Sequence, residues 1–148
     1  MGVIDLPSHG SIYLDAAPLI YSVERIEPYW SLMQPVWDGA AAGRFALVSS
    51  ELSLLEVLVA PRKSGNVALE TLYRQLLLGT RELQLVPISQ AILDRATSLR
   101  GNFGLKTPDA IHIATALESR CTVLVTNDKQ FGQVLDVPMT ILSNLITS

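Results

Sequence analysis

Four carboxylates in this chain stand where a strand hands over to a helix or where a helix begins. Asp15 ends the apolar run Ile12-Tyr13-Leu14 and precedes Ala16-Ala17-Pro18. Glu56 sits among Leu52, Leu54, Leu55, Val57 and Leu58. Asp109 follows Thr107-Pro108, and Asp128 follows Val123-Leu124-Val125-Thr126-Asn127. Ionised acids brought together repel: at ~5 Å and an effective dielectric of ~20, each pair costs about 3 kcal/mol. Such a group persists where it holds a cation or works with raised pKa values. Oxygen-only ligation selects a hard divalent ion, Mg2+ or Mn2+. The chemistry such ions serve is displacement at phosphoryl groups.

Each acid also has a plainer reading. Asp15 can be a helix N-cap, and Asp128 can cap a short helix starting near Lys129. Asp109 lies in a first helical turn, where the dipole alone favours an acid. Glu56 can face solvent, but among leucines an unpaired acid is expensive to bury. Taken together, the four favour metal ligation over four separate caps. Glu51, in a first turn, is read as structural. His112, one turn after Asp109, reads as a packed or hydrogen-bonded histidine rather than a ligand. His9 is the other histidine and falls in an N-terminus expected to fray, so a His-based zinc site has little support. Arg62 and Lys63 can reach a phosphate, with a solvated loop as the default.

The elements that must position these groups follow from the apolar pattern. Strands are expected at Ser11–Leu14, Phe45–Val48, Leu83–Val86 and Val123–Val125, with a fifth at Met139–Ile141. Helices are expected from Pro18 to Glu24, across Trp30 to Ala40 with Pro35 kinking or splitting it, and from Ser49 and Ser50 as caps to Ala60 before Pro61. Others are expected from Val67 to Leu78, from Gln90 to Arg100 behind a Ser89 cap, and from a Thr107 cap with Pro108 first to Arg120. Arg62 to Asn66 reads as the most loop-like stretch, and Gly101 and Gly104 as brackets of a turn. Alternating strands and helices mean a parallel sheet covered on both faces. The fold class is therefore α/β, a three-layer sandwich with a central parallel sheet of four to five strands. The four acids are expected to converge at its carboxyl edge.

The whole chain sets bounds. Its 148 residues suit one domain, 1–148. Hydrophobic residues make up 49% and charged residues 17%, which excludes disorder and provides an ample core. The net charge of −3 is not the basic balance of a typical nucleic-acid binder. Setting the four site carboxylates aside moves that charge from −3 to +1, so the objection is weak. Cys121 is the single cysteine and starts an apolar run, so it is read as a buried thiol in a reducing compartment. The opening residues lack a basic n-region and a long apolar core, so no signal peptide is expected. No uncharged apolar run approaches the ~20 residues of a membrane span. A cytoplasmic location is the expectation.

The acids in their order, the strand ending in Asp15, the serine-rich entry to the Glu56 helix, Asp109-Ala-Ile-His-Ile-Ala-Thr-Ala116 and Thr126-Asn-Asp128-Lys-Gln-Phe131 together resemble the PIN-domain nucleases. The likeness is strongest to the small VapC-type toxins of toxin–antitoxin pairs and covers nearly the whole chain. The resemblance implies a metal-dependent endoribonuclease with RNA as substrate, a homodimer and an antitoxin protein partner. It carries Asp15, Glu56, Asp109 and Asp128 over as catalytic and metal-site acids, and Thr126 as support for the last of them. One position departs: many members place Asn or Ser two residues after the first Asp, where this chain has Ala17.

The alternative is an α/β phosphotransfer module, or a protein-binding module with a degenerate acidic site. A receiver-like domain would place paired acids after the first strand and a Lys after the last. Asp15 has no acidic neighbour, and no Lys follows Met139. A dehalogenase-like phosphatase would place a second Asp where Ala17 stands. Tyr29, Trp30, Met33, Val36 and Trp37 form an aromatic-rich region, expected to be buried in part by a second copy or an antitoxin segment.

Overall fold

Alternation along the strands decides which helices cover which face. The computed structural model describes residues 2–146. The elements run β1 (Ser11–Leu14), α1 (Ala16–Glu24), α2 (Tyr29–Ala41), β2 (Ala46–Ser50), α3 (Leu52–Ser64), α4 (Val67–Gly79), β3 (Leu83–Val86), α5 (Gln90–Phe103), α6 (Thr107–Glu118), β4 (Val123–Thr126) and β5 (Met139–Ile141). Two 3-10 turns follow the last strands, at Lys129–Gln133 and Leu142–Leu145. Ile12, Leu14, Leu47, Val123 and Val125 point to one face, where Leu19, Met33, Val36, Val57 and Leu77 of α1 to α4 meet them. Tyr13, Val48 and Leu124, the residues between, point to the other face, against Ile92, Ala96, Ala110, Ile113 and Ala114 of α5 and α6. Successive strand residues face opposite sides, so these short strands feed both cores.

The sheet order is β3-β2-β1-β4-β5, and every pairing is parallel. Leu14 stands beside Val125 in the β1–β4 register. The fold is the expected three-layer α/β sandwich, with the fifth strand present. Several boundaries differ for physical reasons. Helix α2 continues through Pro35. The carbonyl that Pro35 leaves unpaired belongs to Ser31, and both residues lie on the exposed side, where water can take its place. Helix α3 also passes Pro61 and stops at Gly65, whose left-handed backbone (φ 72°) places its N–H on the Arg62 and Pro61 carbonyls. The expected loop at residues 62–64 is therefore the last helical turn. Helix α5 runs through Gly101 to Phe103, and Gly104 alone makes the left-handed turn.

The caps are redistributed as well. Ser89 caps α5 as expected, accepting from the Ile92 amide at 3.2 Å. Helix α6 is instead entered from Lys106, with Thr107 as its first residue. Ser50 accepts from the Leu52 amide at 3.0 Å, while Ser49 turns inward and donates to the Leu14 carbonyl at 2.6 Å. The N-terminus is tied down rather than frayed. The Gly2 amide donates to the Leu145 carbonyl, and Ile4 is buried in the core. Gly39 lies where a Cβ would overlap the Phe45 ring, which lets α2 approach the start of β2. Among the described residues, no helix is long and apolar enough to cross a membrane.

Candidate active site

The chain builds β2 and β3 on one side of β1, then crosses to build β4 on the other. In open α/β sheets, a reversal of this kind is where a crevice forms, at the carboxyl ends of the two strands. Asp15 is the first residue beyond β1, and Thr126 is the last of β4. The Asp15 amide donates to the Val125 carbonyl, so the backbone register carries both residues to the crevice. Thr126 Oγ1 donates to Asp15 Oδ2 at 2.5 Å and accepts from the Asp128 amide at 3.1 Å. One buried hydroxyl thus ties the first acid to the loop of the last. Asn127 fixes that loop further. It donates to the Tyr21 hydroxyl at 2.9 Å and accepts from the Ser143 amide at 2.8 Å.

Asp15 has the N-cap backbone of α1, yet its side chain makes no capping hydrogen bond. It is 6% exposed, and its Oδ1 is buried with no hydrogen-bond partner. Burial pushes its pKa up to about 6, against the pull of His112, the Thr126 hydrogen bond and the nearby Ala17 backbone amide. An orphaned buried carboxylate oxygen costs the fold free energy. A proton or a cation would relieve it.

Glu56 lies on α3 and accepts from His112 Nε2 at 2.5 Å. Asp109 lies in the first turn of α6. Burial and then Asp128 raise its pKa, with Glu56 adding to the rise and His112 opposing it. Asp15 likewise feels Glu56. Glu56 thus influences both Asp15 and Asp109, and Asp128 influences Asp109. Asp128 also serves as a cap, accepting from the Gln130 amide at 2.9 Å. Among the described residues, no group of three or more His, Cys, Asp or Glu is gathered closely enough to hold a metal ion. The donor set of the four acids, all carboxylate and with one partnerless oxygen, fits a hard divalent ion.

Sequence reasoning read His112 only as a packed or hydrogen-bonded histidine, and it did not find Tyr13. Tyr13 is fully buried on β1, its hydroxyl 2.6 Å from His112 Nδ1. Burial, then the nearby Asp15, holds the Tyr13 pKa well above its ordinary value. A signal was available: His112 and Glu56 are polar residues in otherwise apolar helices, each needing a partner.

The remaining candidates lie elsewhere. Arg62 pairs with Glu70 at 2.9 Å on the surface, and Lys63 is exposed. Cys121 is buried, and burial raises its thiol pKa, as suits a packed side chain. In the aromatic region, Met33 and Val36 are fully buried in the chain's own core. Tyr29, Trp30 and Trp37 are half-buried. Trp37 Nε1 donates to Ser22 Oγ at 2.8 Å, and the Arg25 guanidinium lies over the Trp30 ring at 5.7 Å. Both indoles line an open cavity of about 350 Å³ that Leu72 and Leu76 complete.

Solved structures share this architecture. A toxin–antitoxin complex from Klebsiella pneumoniae matches with 27% identity and a TM-score of 0.64, over 85% of this chain and 94% of that one. VapBC2 from Rickettsia felis, solved bound to a promoter DNA fragment, matches with 15% identity and a TM-score of 0.69, over 88% and 97%. VapC20 from Mycobacterium tuberculosis, a sarcin–ricin loop cleaving toxin, matches with 11% identity and a TM-score of 0.68, over 86% and 98%. No curated protein sequence matches the chain. The PIN domain profile matches residues 12–136, most of the chain, and the protein therefore belongs to the PIN domain family.

Proposed function

We propose that this protein is a Mg2+- or Mn2+-dependent endoribonuclease, acting in the cytoplasm as the toxin of a toxin–antitoxin pair. The observation that carries the reading is Asp15 Oδ1, buried and without a hydrogen-bond partner just past the carboxyl end of β1, where the strand order reverses. Asp15, Glu56, Asp109 and Asp128 would hold the ion. When bound, the ion supplies positive charge against phosphodiester oxygens and makes water a stronger nucleophile. The chain's own contribution is positional. Thr126 fixes the Asp15 carboxylate, leaving Oδ1 as the free donor. His112 holds Glu56. Asp109, half-buried with a raised pKa, is suited to accept a proton from water and orient it for in-line attack.

Family membership favours nuclease chemistry. The VapC20 likeness favours RNA as the substrate class, and the toxin–antitoxin complexes favour an antitoxin protein partner. The half-exposed Trp30 and Trp37 offer an apolar surface for that partner or for a second copy in a homodimer. The cheapest test is labelled structured RNA incubated with purified protein and Mg2+ or Mn2+, with and without EDTA. Cleavage that EDTA and Asp15→Asn both abolish is the expected result. Undiminished cleavage in EDTA would remove the metal from the mechanism. Sedimentation, with and without coexpression of the neighbouring reading frame, tests the partners. A strict monomer with no copurifying small protein contradicts them.

A further inference from the structure

We infer that His112, held by Tyr13, is a positioning residue that fixes Glu56 for the ion, so that the strand carrying Asp15 also sets the place of the second acid. This rests on the proposed reading of Glu56 as a ligand. Tyr13 lies in β1, and Asp15 follows it by two residues, just past the strand's end. The Tyr13 hydroxyl meets His112 Nδ1 at 2.6 Å, and His112 Nε2 meets Glu56 Oε1 at 2.5 Å. An ionised carboxylate can only accept, so Nε2 donates to it.

The two ends of this chain differ in freedom. Tyr13 is fully buried, and the His112 side chain is 3% exposed against 27% for that of Glu56. The buried end therefore restrains the more exposed one. The imidazole is engaged through both nitrogens and has none left for an ion. His112 thus acts on the site through Glu56. With Oε1 engaged, Oε2 is the oxygen left to face the crevice. A buried imidazole needs a partner at each ring nitrogen, and here one of the two partners is the acid of another helix.

The side-chain amides of Asn and Gln separate the two roles, because they approximate the positions of Nδ1 and Nε2. His112→Gln keeps a donor to Glu56, while His112→Asn keeps only the Tyr13 contact. Mn2+ titration by calorimetry gives the readout, with Glu56→Gln as reference. We expect His112→Asn to weaken Mn2+ binding about 10- to 100-fold, the usual cost of losing an outer contact at a metal site. His112→Gln should stay close to wild type, and Tyr13→Phe should fall between. If Glu56→Gln weakens binding but His112→Asn does not, or if the Asn and Gln variants lose equally, the positioning role is overturned while Glu56 remains a ligand. If Glu56→Gln binds Mn2+ like wild type, or wild type does not bind it, the reading of Glu56 fails and this inference with it. Should His112→Asn not fold, proton NMR of metal-free wild type decides. A slowly exchanging His112 Nε2–H signal that Glu56→Ala removes supports the role, and its absence in wild type overturns it.

Discussion

Two fully buried tyrosines, one on each face of the sheet, use their hydroxyls differently. Tyr73 of α4, in the core beneath α1 to α4, donates directly to Glu24 at the end of α1. Burial and that bond raise its pKa. Tyr13, in the core beneath α5 and α6, reaches a carboxylate only through His112. Glu24 is exposed and stands at the opposite end of α1 from Asp15, so the first arrangement ties two helices together. The second leads from the centre of the sheet to its carboxyl edge. The same pair of residue types is an anchor on one face and a route into the crevice on the other. The strand-order reversal beside β1 is what separates them.

The largest effects should come from the crevice acids themselves. Asp15→Asn and Glu56→Gln should each lower RNA cleavage by more than the ~10- to 100-fold that outer contacts of a metal site are worth. Single-turnover assays on a common RNA check this. An Asp15→Asn variant with wild-type cleavage would break the contrast between the two faces at once.

Next is the cost of ionising Asp15. A buried carboxyl raised from 3.8 to about 6 has a charged form that costs the fold about 3 kcal/mol. The sign follows from the raised value: the contribution favours the fold below pH ~4 and is lost as pH rises through about 6. Urea unfolding in the absence of metal should therefore show wild type gaining about 2 kcal/mol over Asp15→Asn between pH 7 and pH 4. A gap that does not change with pH would mean that Asp15 is not strained by its charge.

Thr126→Val should weaken divalent-ion binding by about tenfold, since Asp15 Oδ2 and the Asp128 amide both lose their shared partner. The smallest effect belongs to the other face. Tyr73→Phe should cost about 1 kcal/mol, one hydrogen bond, and leave ion binding and cleavage unchanged. If Tyr73→Phe altered ion binding as much as Tyr13→Phe, the two faces would not be distinct.

Much of this architecture was legible because it depends on short-range pattern. The apolar runs ending at Leu14, Val86 and Val125, and the acids just beyond or between them, mark strand ends by their types alone. Asp15 stood out as an acid after a buried strand, and Glu56 as an acid within a leucine-rich helix. What spacing could not show is which side chain meets which across layers. The partnership of His112 and Glu56 depends on how α3 and α6 pack over the sheet, 56 positions apart in the chain. Tyr13 was hidden for the same reason, since a tyrosine in a strand looks like any core residue. Pro35 does not split α2, because its cost depends on whether the carbonyl four residues earlier meets protein or water, which is a matter of burial. Asp128 keeps the cap that its local sequence suggests while it also acts on Asp109, so one reading did not exclude the other.

The most direct test of the account is a calorimetric titration of metal-free protein with Mn2+, wild type beside Asp15→Asn. Saturable binding is expected in wild type and its loss in Asp15→Asn, with the variant still folded and at least as stable without metal at pH 7. Equal binding in the two proteins would contradict it, because the buried, partnerless oxygen of Asp15 would then not be where the ion is held.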